Sequence, residues 1–212
     1  FTVDKETGVV TFTPTDKSYS GDVVPVKVQG KDTNGTVAET TYTPKITPVV
    51  PTSEDATSTD IQGQTQSGKP TFTEGNPNVP IDEDTPATFE DGSTTKTVDG
   101  EGTYTVSPDG TVTFVPEKSF TGTATGVTVK RVDKNGTQVT AKYTPTVTPI
   151  TVTPTDKVSA DVQNVPQTQT PTFDLSNNKT AQITSKKLID PATGQPTDET
   201  TVTVAGEGTY TI

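Results

Sequence analysis

The sequence predicts an all-β fold: small β-sandwich-like repeat modules of about 100 residues, arranged in tandem, joined by Pro/Thr-rich linkers and with almost no helix. Three observations lead to this prediction. Threonine, which suits a pleated surface and loses side-chain freedom in a helix, fills about 50 of the 212 positions. No stretch of ten or more residues places apolar side chains at helical spacing. Long segments of the chain recur, which is typical of a repeat protein.

The most regular predicted elements are two β-hairpins. Apolar residues alternate with Thr and Ser on both sides of the SPDG turn at 107–110, from Tyr104 to Phe114. Pro fixes φ, Asp bonds its own backbone and Gly accepts positive φ, so this sequence favours a turn. The second hairpin turns at DKNG, 133–136, and the first copy repeats it as DTNG at 32–35. Asn-Gly between alternating runs is the strongest short-range hairpin signal.

The repeat is clearest when residues 17–72 are aligned with residues 118–173, at an offset of 101. The ungapped identity is far above chance for a single period. A third copy begins as GEGTYTI at 206–212, which matches GEGTYTV at 100–106 at an offset of 106. The additional residues of the third copy therefore lie before Gly206, where LIDPATGQPTDE is predicted to form a longer loop.

Domain boundaries are predicted at the Pro-, Thr-, Asp- and Ser-rich runs, where few core residues would cross. We assign 1–52 to the C-terminal part of a first repeat, 53–154 to a complete second repeat and 155–212 to the N-terminal part of a third. The prolines of 144–155 predict an edge strand or an extended linker, because Pro cannot donate to a ladder. The polar stretch 53–69 predicts a linker or a loosely held segment. Since both ends fall inside a repeat, we expect a longer parent protein.

Composition limits both the core and the partners. Only 26% of the residues are hydrophobic, against about 45–50% in a typical globular domain, so the core is thin. Lys and Arg number 16 and Asp and Glu 27, and the net charge of −11 argues against nucleic acid and anionic membranes as partners. No run of apolar residues is long enough for membrane insertion. Without Cys, the modules depend on packing and strand ladders alone.

Catalysis is not expected. The chain has no His and no Cys, which removes the usual general base and the thiol nucleophile. A carboxylate pair of the glycosidase kind is the remaining alternative, with five candidate residues: Asp82, Glu83, Asp84, Glu90 and Asp91. The matching part of the third copy reads QITSKKLIDPATG, where the charge has changed sign, so the repeats share no such role. We interpret 82–91 as a solvated acidic loop and predict no enzyme, no catalytic residue and no cofactor.

Metal binding and covalent cross-linking are two weaker alternatives. DTNG and DKNG match the first half of a calcium loop, but the later bidentate Glu is missing, so a hairpin turn explains them better. Calcium at 82–91 stays open, although we assign no metal ligand. Lys17 and Lys118 recur, as do Asn34 and Asn135. An amide bond from Lys to Asn or Asp needs a buried, neutral Lys beside an acid, whereas these Asn residues lie in predicted turns.

The aromatic residues recur in register, Phe12 with Phe114 and Tyr42 with Tyr143. In a chain this poor in apolar residues, such recurrence favours a place in the core over a carbohydrate-binding platform. N-x-T triplets accept sugar only in a compartment with the required enzyme, so we treat them as incidental. They begin at Asn34, Asn135 and Asn178.

One continuous stretch of the second copy reads GEGTYTVSPDGTVTFVPEKSFTGTATGVTVKRVDKNG and is followed by YTPTVTP. This combination resembles the fibril repeat of CshA-type surface adhesins of streptococci, and the resemblance extends over the whole chain. The first copy departs from it at 4–8, where DKETG replaces SPDG and lengthens the turn. The resemblance implies tandem all-β repeats in a long, thin surface fibril. It also implies a separate N-terminal ligand-binding region and a C-terminal signal for attachment to the cell wall.

From this resemblance we expect a structural stalk, or spacer, of a bacterial cell-surface fibrillar adhesin that projects a separate ligand-binding tip. The alternative is that the repeats themselves bind a host matrix glycoprotein or the surface of a partner cell. The expected location is extracellular, attached to the cell wall of a Gram-positive bacterium. The expected partners are neighbouring repeats of the same chain, with host or bacterial ligands bound through other regions of the parent protein. The chain itself is expected to be a monomer.

Overall fold

The computed structural model describes residues 1–176 and 181–212. These residues form β-strands and turns and contain no helix, which confirms the all-β prediction. Accordingly, the described residues include no helix of the length and apolarity that a membrane crossing requires. The chain divides into two compact units, Phe1–Thr148 and Pro149–Ile212. The first unit holds a partial and a complete copy of the repeat, and the second unit holds another partial copy.

The first partial copy forms three antiparallel strand pairs. Its strands are β1 (Thr2–Val3), β2 (Val10–Thr11), β3 (Gly21–Asp22), β4 (Val26–Lys31), β5 (Val37–Tyr42) and β6 (Lys45–Ile46). β1 pairs with β2, β4 with β5, and β3 with β6. The predicted turn between β4 and β5 is present, since the Gly35 N–H donates to the Asp32 carbonyl oxygen at 3.1 Å and Gly35 has a φ of 93°.

The complete copy forms two larger sheets and one additional strand pair. Its strands are β7 (Thr52–Glu54), β8 (Ala56–Ile61), β9 (Gln66–Gly68), β10 (Thr71–Thr73), β11 (Thr88–Phe89), β12 (Thr95–Val98), β13 (Gly102–Val106), β14 (Val112–Pro116), β15 (Gly122–Thr123), β16 (Val127–Val132) and β17 (Gln138–Thr148). One sheet has the order β12-β13-β14-β9. The other has the order β11-β16-β17-β15, with β8 also paired to β17, while β7 pairs with β10.

The two sheets of the complete copy share one hydrophobic core, as a β-sandwich does. Burial alternates along β13, β14, β16 and β17, so one face of each strand turns inward. The residues with no exposed surface include Tyr104, Val112, Phe114, Val129 and Tyr143. The recurrent aromatic residues are therefore core residues in this copy, as predicted.

One prediction about the ends of the repeat is wrong, and another is right only in part. The stretch 53–69 is not a linker: it contributes to β7 and contains all of β8 and β9. The edge strand predicted within 144–155 is present at Thr151–Thr155, which contains Pro154 and belongs to a two-stranded sheet. In contrast, β17 continues through Pro145, which is fully buried and lies inside the sheet. Pro145 is tolerated because it lies opposite residues 124–126, where the chain has left β15 and not yet entered β16, so the ladder is already interrupted.

Strands β8 and β17, from opposite ends of the complete repeat, pair in parallel. The register runs from Tyr143 opposite Ala56 to Thr148 opposite Ile61. Just before β8, the Asp55 carboxylate accepts the backbone N–H of Lys142 at 2.7 Å. Because the two strands point the same way, the chain enters the sheet at one end of this ladder and leaves it at the other.

The second partial copy forms only its local strand pairs. Its strands are β18 (Thr151–Thr155), β19 (Thr172–Ser176), β20 (Thr201–Val204) and β21 (Gly208–Thr211). β18 pairs with β19, and β20 pairs with β21, as β7–β10 and β12–β13 do in the complete copy. The segments equivalent to β8 and β9, at 157–162 and 167–169, are not strands. Their partners in the complete copy are β17 and β14, whose equivalents are not among residues 149–212.

Candidate functional site

The predicted acidic loop at 82–91 includes strand β11, and its first part, 82–84, is bound to the hairpin between β16 and β17. The backbone N–H of Asp82 donates to the Val132 carbonyl oxygen at 2.8 Å. Arg131, only 4% exposed, donates to the Asp82 carbonyl oxygen at 3.1 Å and pairs with the Glu83 carboxylate at 3.1 Å. Lys134 pairs with the carboxylates of Asp82 and Asp84. The structure therefore brings three of the five candidate carboxylates to two cations.

These contacts hold Asp82 in its charged form. The hydrogen bond from Lys134, followed by that from Thr85, lowers the pKa of Asp82 to about 2. The same two carboxylates, Asp82 first and Asp84 second, raise the pKa of Lys134. Asp91 has separate contacts, because its carboxylate accepts from the Ser93 hydroxyl at 2.7 Å and the Ser93 N–H at 2.9 Å, which lowers its pKa. We call the ion pairs of Lys134 with Asp82 and Asp84 the Lys134 clip, because they join the loop to the hairpin. With a pKa this low, Asp82 does not hold the proton that a general acid must donate.

Acid is expected to loosen this clip. A carboxyl group with a depressed pKa stabilises the fold above its ordinary value of 3.8, and that contribution is lost as the pH falls toward about 2. We therefore expect the thermal midpoint of the complete repeat to fall between about pH 4 and about pH 2. Lys134→Met should remove part of this dependence. The rest should persist, because Asp109, paired with Lys69, also has a pKa lowered to about 2.

Circular dichroism melts of the chain and the Lys134→Met variant at closely spaced pH values would measure this effect. Lys157→Met, a substitution in the second partial copy, is the matched control for the lost charge. Equal pH profiles for the chain and the Lys134→Met variant would contradict the assignment of the clip.

The calcium-like sequences form hairpin turns, as predicted. In the turn after β16, the Asp133 carboxylate accepts the N–H groups of Asn135 at 2.9 Å and Thr137 at 2.8 Å. Asp32 makes the same two contacts in the first copy. Within residues 1–176 and 181–212, no group of three or more acidic residues is arranged to hold a metal ion. The carboxylate of each turn thus caps backbone donors.

The proposed cross-link partners lie in different contacts. Lys17 Nζ is 3.5 Å from the Lys134 carbonyl oxygen, and the Lys118 carbonyl oxygen accepts from the Gln62 side chain at 2.8 Å. Among the contacts found in the described part of the chain, none joins either Lys to Asn34 or Asn135. The third N-x-T triplet, at Asn178, lies outside the described residues.

A buried polar cluster lies where the sequence predicted a linker. Ser58 Oγ donates to Gln66 Oε1 at 2.6 Å and lies 2.6 Å from the Tyr143 hydroxyl. Because Ser58 gives its single proton to Gln66, Tyr143 donates to Ser58. The Gln66 amide in turn donates to the Thr146 carbonyl oxygen at 2.9 Å. The Ser58–Gln66–Tyr143 cluster therefore connects β8 and β9 to β17 inside the repeat.

Recurrence was the signal that could have identified this cluster. Ser58 and Gln66 recur as Ser159 and Gln167, and Tyr143 recurs as Tyr42, all at the offset of 101. Polar residues that recur in register are candidates for buried hydrogen bonds, just as recurrent aromatic residues are candidates for the core. The scarcity of apolar residues in 53–69 was the only basis for predicting a linker there.

The fold and these contacts define a class of protein: a tandem array of all-β repeats. The complete repeat is stabilised by a thin hydrophobic core together with side-chain hydrogen bonds and ion pairs. The chain belongs to the CshA repeat family, because the family model described as "Surface adhesin CshA repetitive domain" matches residues 1–46, 48–147 and 149–212. Membership in this surface-adhesin family places the chain at a cell surface. The boundaries at 52/53 and 154/155 stay predictions.

One solved structure with a similar sequence is the NMR structure of repeat domain 13 of the fibrillar adhesin CshA from Streptococcus gordonii. The aligned region is 66% identical and covers 33% of this chain and 90% of that one, with a TM-score of 0.20. No curated protein matches the chain at a significant level.

Proposed function

We propose that this chain resists tension as part of the stalk of a wall-attached fibrillar adhesin, and that it separates a binding tip from the cell. The observation that carries the proposal is the parallel pairing of β8 with β17. These strands adjoin the two ends of the complete repeat, so tension along the stalk pulls them in opposite directions. All hydrogen bonds between the two strands then resist the force at the same time. In contrast, a hairpin that is pulled apart from its open end loses its hydrogen bonds one after another.

The polar contacts add to this ladder. Asp55 binds Lys142, Ser58 lies against Tyr143, and Gln66 binds Thr146, so side chains tie the first strands to the last one beyond the backbone bonds. Each such bond contributes about 0.5–1.5 kcal/mol. A chain with few apolar residues gains resistance to force in this way without a larger core.

Charge also supports a spacer. Seven basic and fourteen acidic residues lie in 47–148, so neighbouring repeats repel one another weakly. At ordinary salt, screening limits this repulsion to distances of about 10 Å. The repulsion therefore acts between adjacent repeats and not between distant ones. We further propose that the chain has no enzymatic role and that its partners along the stalk are neighbouring repeats.

Pulling single molecules from their ends tests the proposal. The complete repeat should unfold in one event that releases about 100 residues, each about 3.3–3.6 Å long when extended. Ile61→Ala, at the buried end of β8, should lower the rupture force, because it removes packing worth about 2–5 kcal/mol. Thr59→Ala, on the exposed face of the same strand, is the matched control and should leave the force unchanged. Equal rupture forces in the two variants would contradict the proposal that this ladder resists the force.

Solid-phase binding distinguishes the stalk from a binding module. We expect the chain to show no saturable binding to immobilised matrix glycoproteins or to whole bacterial cells. Saturable binding that survives Ile61→Ala would favour the rival role, in which the repeats themselves hold a ligand.

A further inference from the structure

The hairpin turn after β16 contains an Asn-Gly pair that is chemically reactive as well as suited to a turn. Asn135 is half-buried, whereas Gly136 is exposed and has a φ of 86°. Among the hydrogen bonds within residues 1–176 and 181–212, none involves the Asn135 side chain. Its carboxamide lies next to the backbone nitrogen of a glycine, which has no side chain to hinder an approach.

Attack of this nitrogen on the carboxamide removes the side-chain amide. The Gly136 nitrogen gives its proton to solvent and attacks Asn135 Cγ, so a new C–N bond forms and closes a cyclic imide. The Cγ–Nδ2 bond breaks, and Nδ2 takes up a proton and leaves as ammonia. Water then opens the imide at one of its two carbonyl carbons. Opening at Cγ gives aspartate, and opening at the backbone carbonyl gives isoaspartate, in which the main chain runs through Cγ.

The folded turn protects the pair, because the attacking nitrogen is held in a hydrogen bond. The Gly136 N–H donates to the Asp133 carbonyl oxygen at 2.9 Å. The N–H groups of Asn135 and Thr137 donate to the Asp133 carboxylate at 2.9 and 2.8 Å. The N–H of Asp133 in turn donates to the Thr137 carbonyl oxygen at 3.0 Å. A donated N–H loses its proton less readily, so reaction requires the turn to open first.

Contacts outside the turn also keep it closed. The N–H of Lys134 donates to the Pro80 carbonyl oxygen at 2.9 Å. The Lys134 clip binds the same turn to Asp82 and Asp84. Each backbone N–H from 133 to 137 is therefore donated, and the turn opens only when several of these bonds break.

We propose that Asn135 is a site of spontaneous deamidation that the folded turn protects and that opening of the β16–β17 hairpin exposes. The reaction needs water and no enzyme or cofactor. The isoaspartate product lengthens the main chain by one methylene, so the turn no longer fits the register of β16 and β17. The site itself does not depend on the stalk role.

For a stalk, the consequence is a lasting mark on repeats that have been held open, and this consequence rests on the proposed function. A repeat that unfolds and refolds at once keeps its turn. A repeat that stays unfolded converts Asn135 and refolds with a weaker hairpin, because the Lys134 clip depends on the same turn.

The rates of deamidation in the folded and the unfolded chain test the proposal. The whole chain is kept at neutral pH with and without urea, and mass spectrometry follows peptides that contain Asn135 or Asn34, since replacing NH2 by OH raises the mass. In urea both residues should react at the same rate, because each is then an unprotected Asn-Gly pair. Without urea, Asn135 should react at least about tenfold more slowly than in urea, because opening the turn breaks several hydrogen bonds.

Two variants distinguish the turn from the rest of the repeat. Asp133→Ala removes the carboxylate that accepts two N–H groups of the turn, and it should raise the rate at Asn135 about 2- to 10-fold without urea. If circular dichroism shows that this variant is unfolded, its rate should equal the rate in urea. Asp91→Ala is the matched control, because it removes a carboxylate that caps another turn at Ser93, and it should leave the rate unchanged.

Equal rates at Asn135 with and without urea would overturn the proposal, as would an Asn135 that stays intact in urea while Asn34 reacts. An unchanged rate in a folded Asp133→Ala variant would also overturn it. These measurements apply no force, so their outcome is independent of the pulling experiment that tests the stalk role.

Discussion

Replacing Phe114 by Ala is expected to destabilise the complete repeat by about 3–5 kcal/mol. Phe114 has no exposed surface and packs on Tyr104 with ring centroids 4.5 Å apart. Its removal leaves a cavity in a core that has few other large side chains. The free energy of unfolding of a domain of this size is only about 5–15 kcal/mol in total. The thermal midpoint should fall by roughly 4–8 °C for each kcal/mol lost.

Phe12→Ala is the matched control, since Phe12 occupies the equivalent position in the first partial copy. Its ring is only partly buried, and it packs on Phe1 at a centroid distance of 4.9 Å rather than inside a sandwich. The main thermal transition should therefore stay where it is. A large shift from Phe12→Ala, or none from Phe114→Ala, would show that the cooperative core does not lie in the complete copy.

Gly68→Ala is expected to destabilise the complete repeat by about 1–3 kcal/mol. The added Cβ would overlap the Tyr143 ring, which has no exposed surface and is held by Ser58. Alanine loses less backbone entropy than glycine, by roughly 0.5–1 kcal/mol. The overlap outweighs this gain, because neither the ring nor strand β9 can move without breaking the Ser58–Gln66–Tyr143 cluster.

Ser67→Ala is the control for Gly68→Ala, because Ser67 is the neighbouring residue of β9 and faces solvent. Urea unfolding of both variants should show a lower midpoint with an unchanged slope for Gly68→Ala alone. If Gly68→Ala were as stable as the parent chain, the close approach of β9 to Tyr143 would be wrong.

Local and long-range structure form under different conditions within this one chain. The hairpins and adjacent strand pairs form in every copy, whether or not the copy is complete. Strands β8 and β9 form only where both halves of the repeat are present, because their partners β17 and β14 lie far along the chain. Closing such long loops lowers the conformational entropy of the chain, and this loss is offset only when the shared core forms.

The all-β class, the period of the repeat, the hairpin turns and the aromatic core could all be predicted from the amino-acid sequence. Each of these depends on short-range alternation, on residues that accept particular turn angles, or on recurrence, all of which a linear sequence records. The hairpin turn at Asp133 and the buried Phe114 and Tyr143 are examples of such predictions that the structure confirms.

The role of the polar and proline-containing segments depends on long-range contacts and could not be predicted in this way. Gln66 is buried and Ser58 is half-buried, because Thr146 and Tyr143 satisfy their hydrogen bonds, and those partners lie 80 and 85 residues away. Pro145 lies inside a sheet because the neighbouring strand is interrupted opposite it. Local composition does not show a distant hydrogen-bond partner. The sequence of these segments alone therefore predicts a linker, although they form strands in the folded repeat.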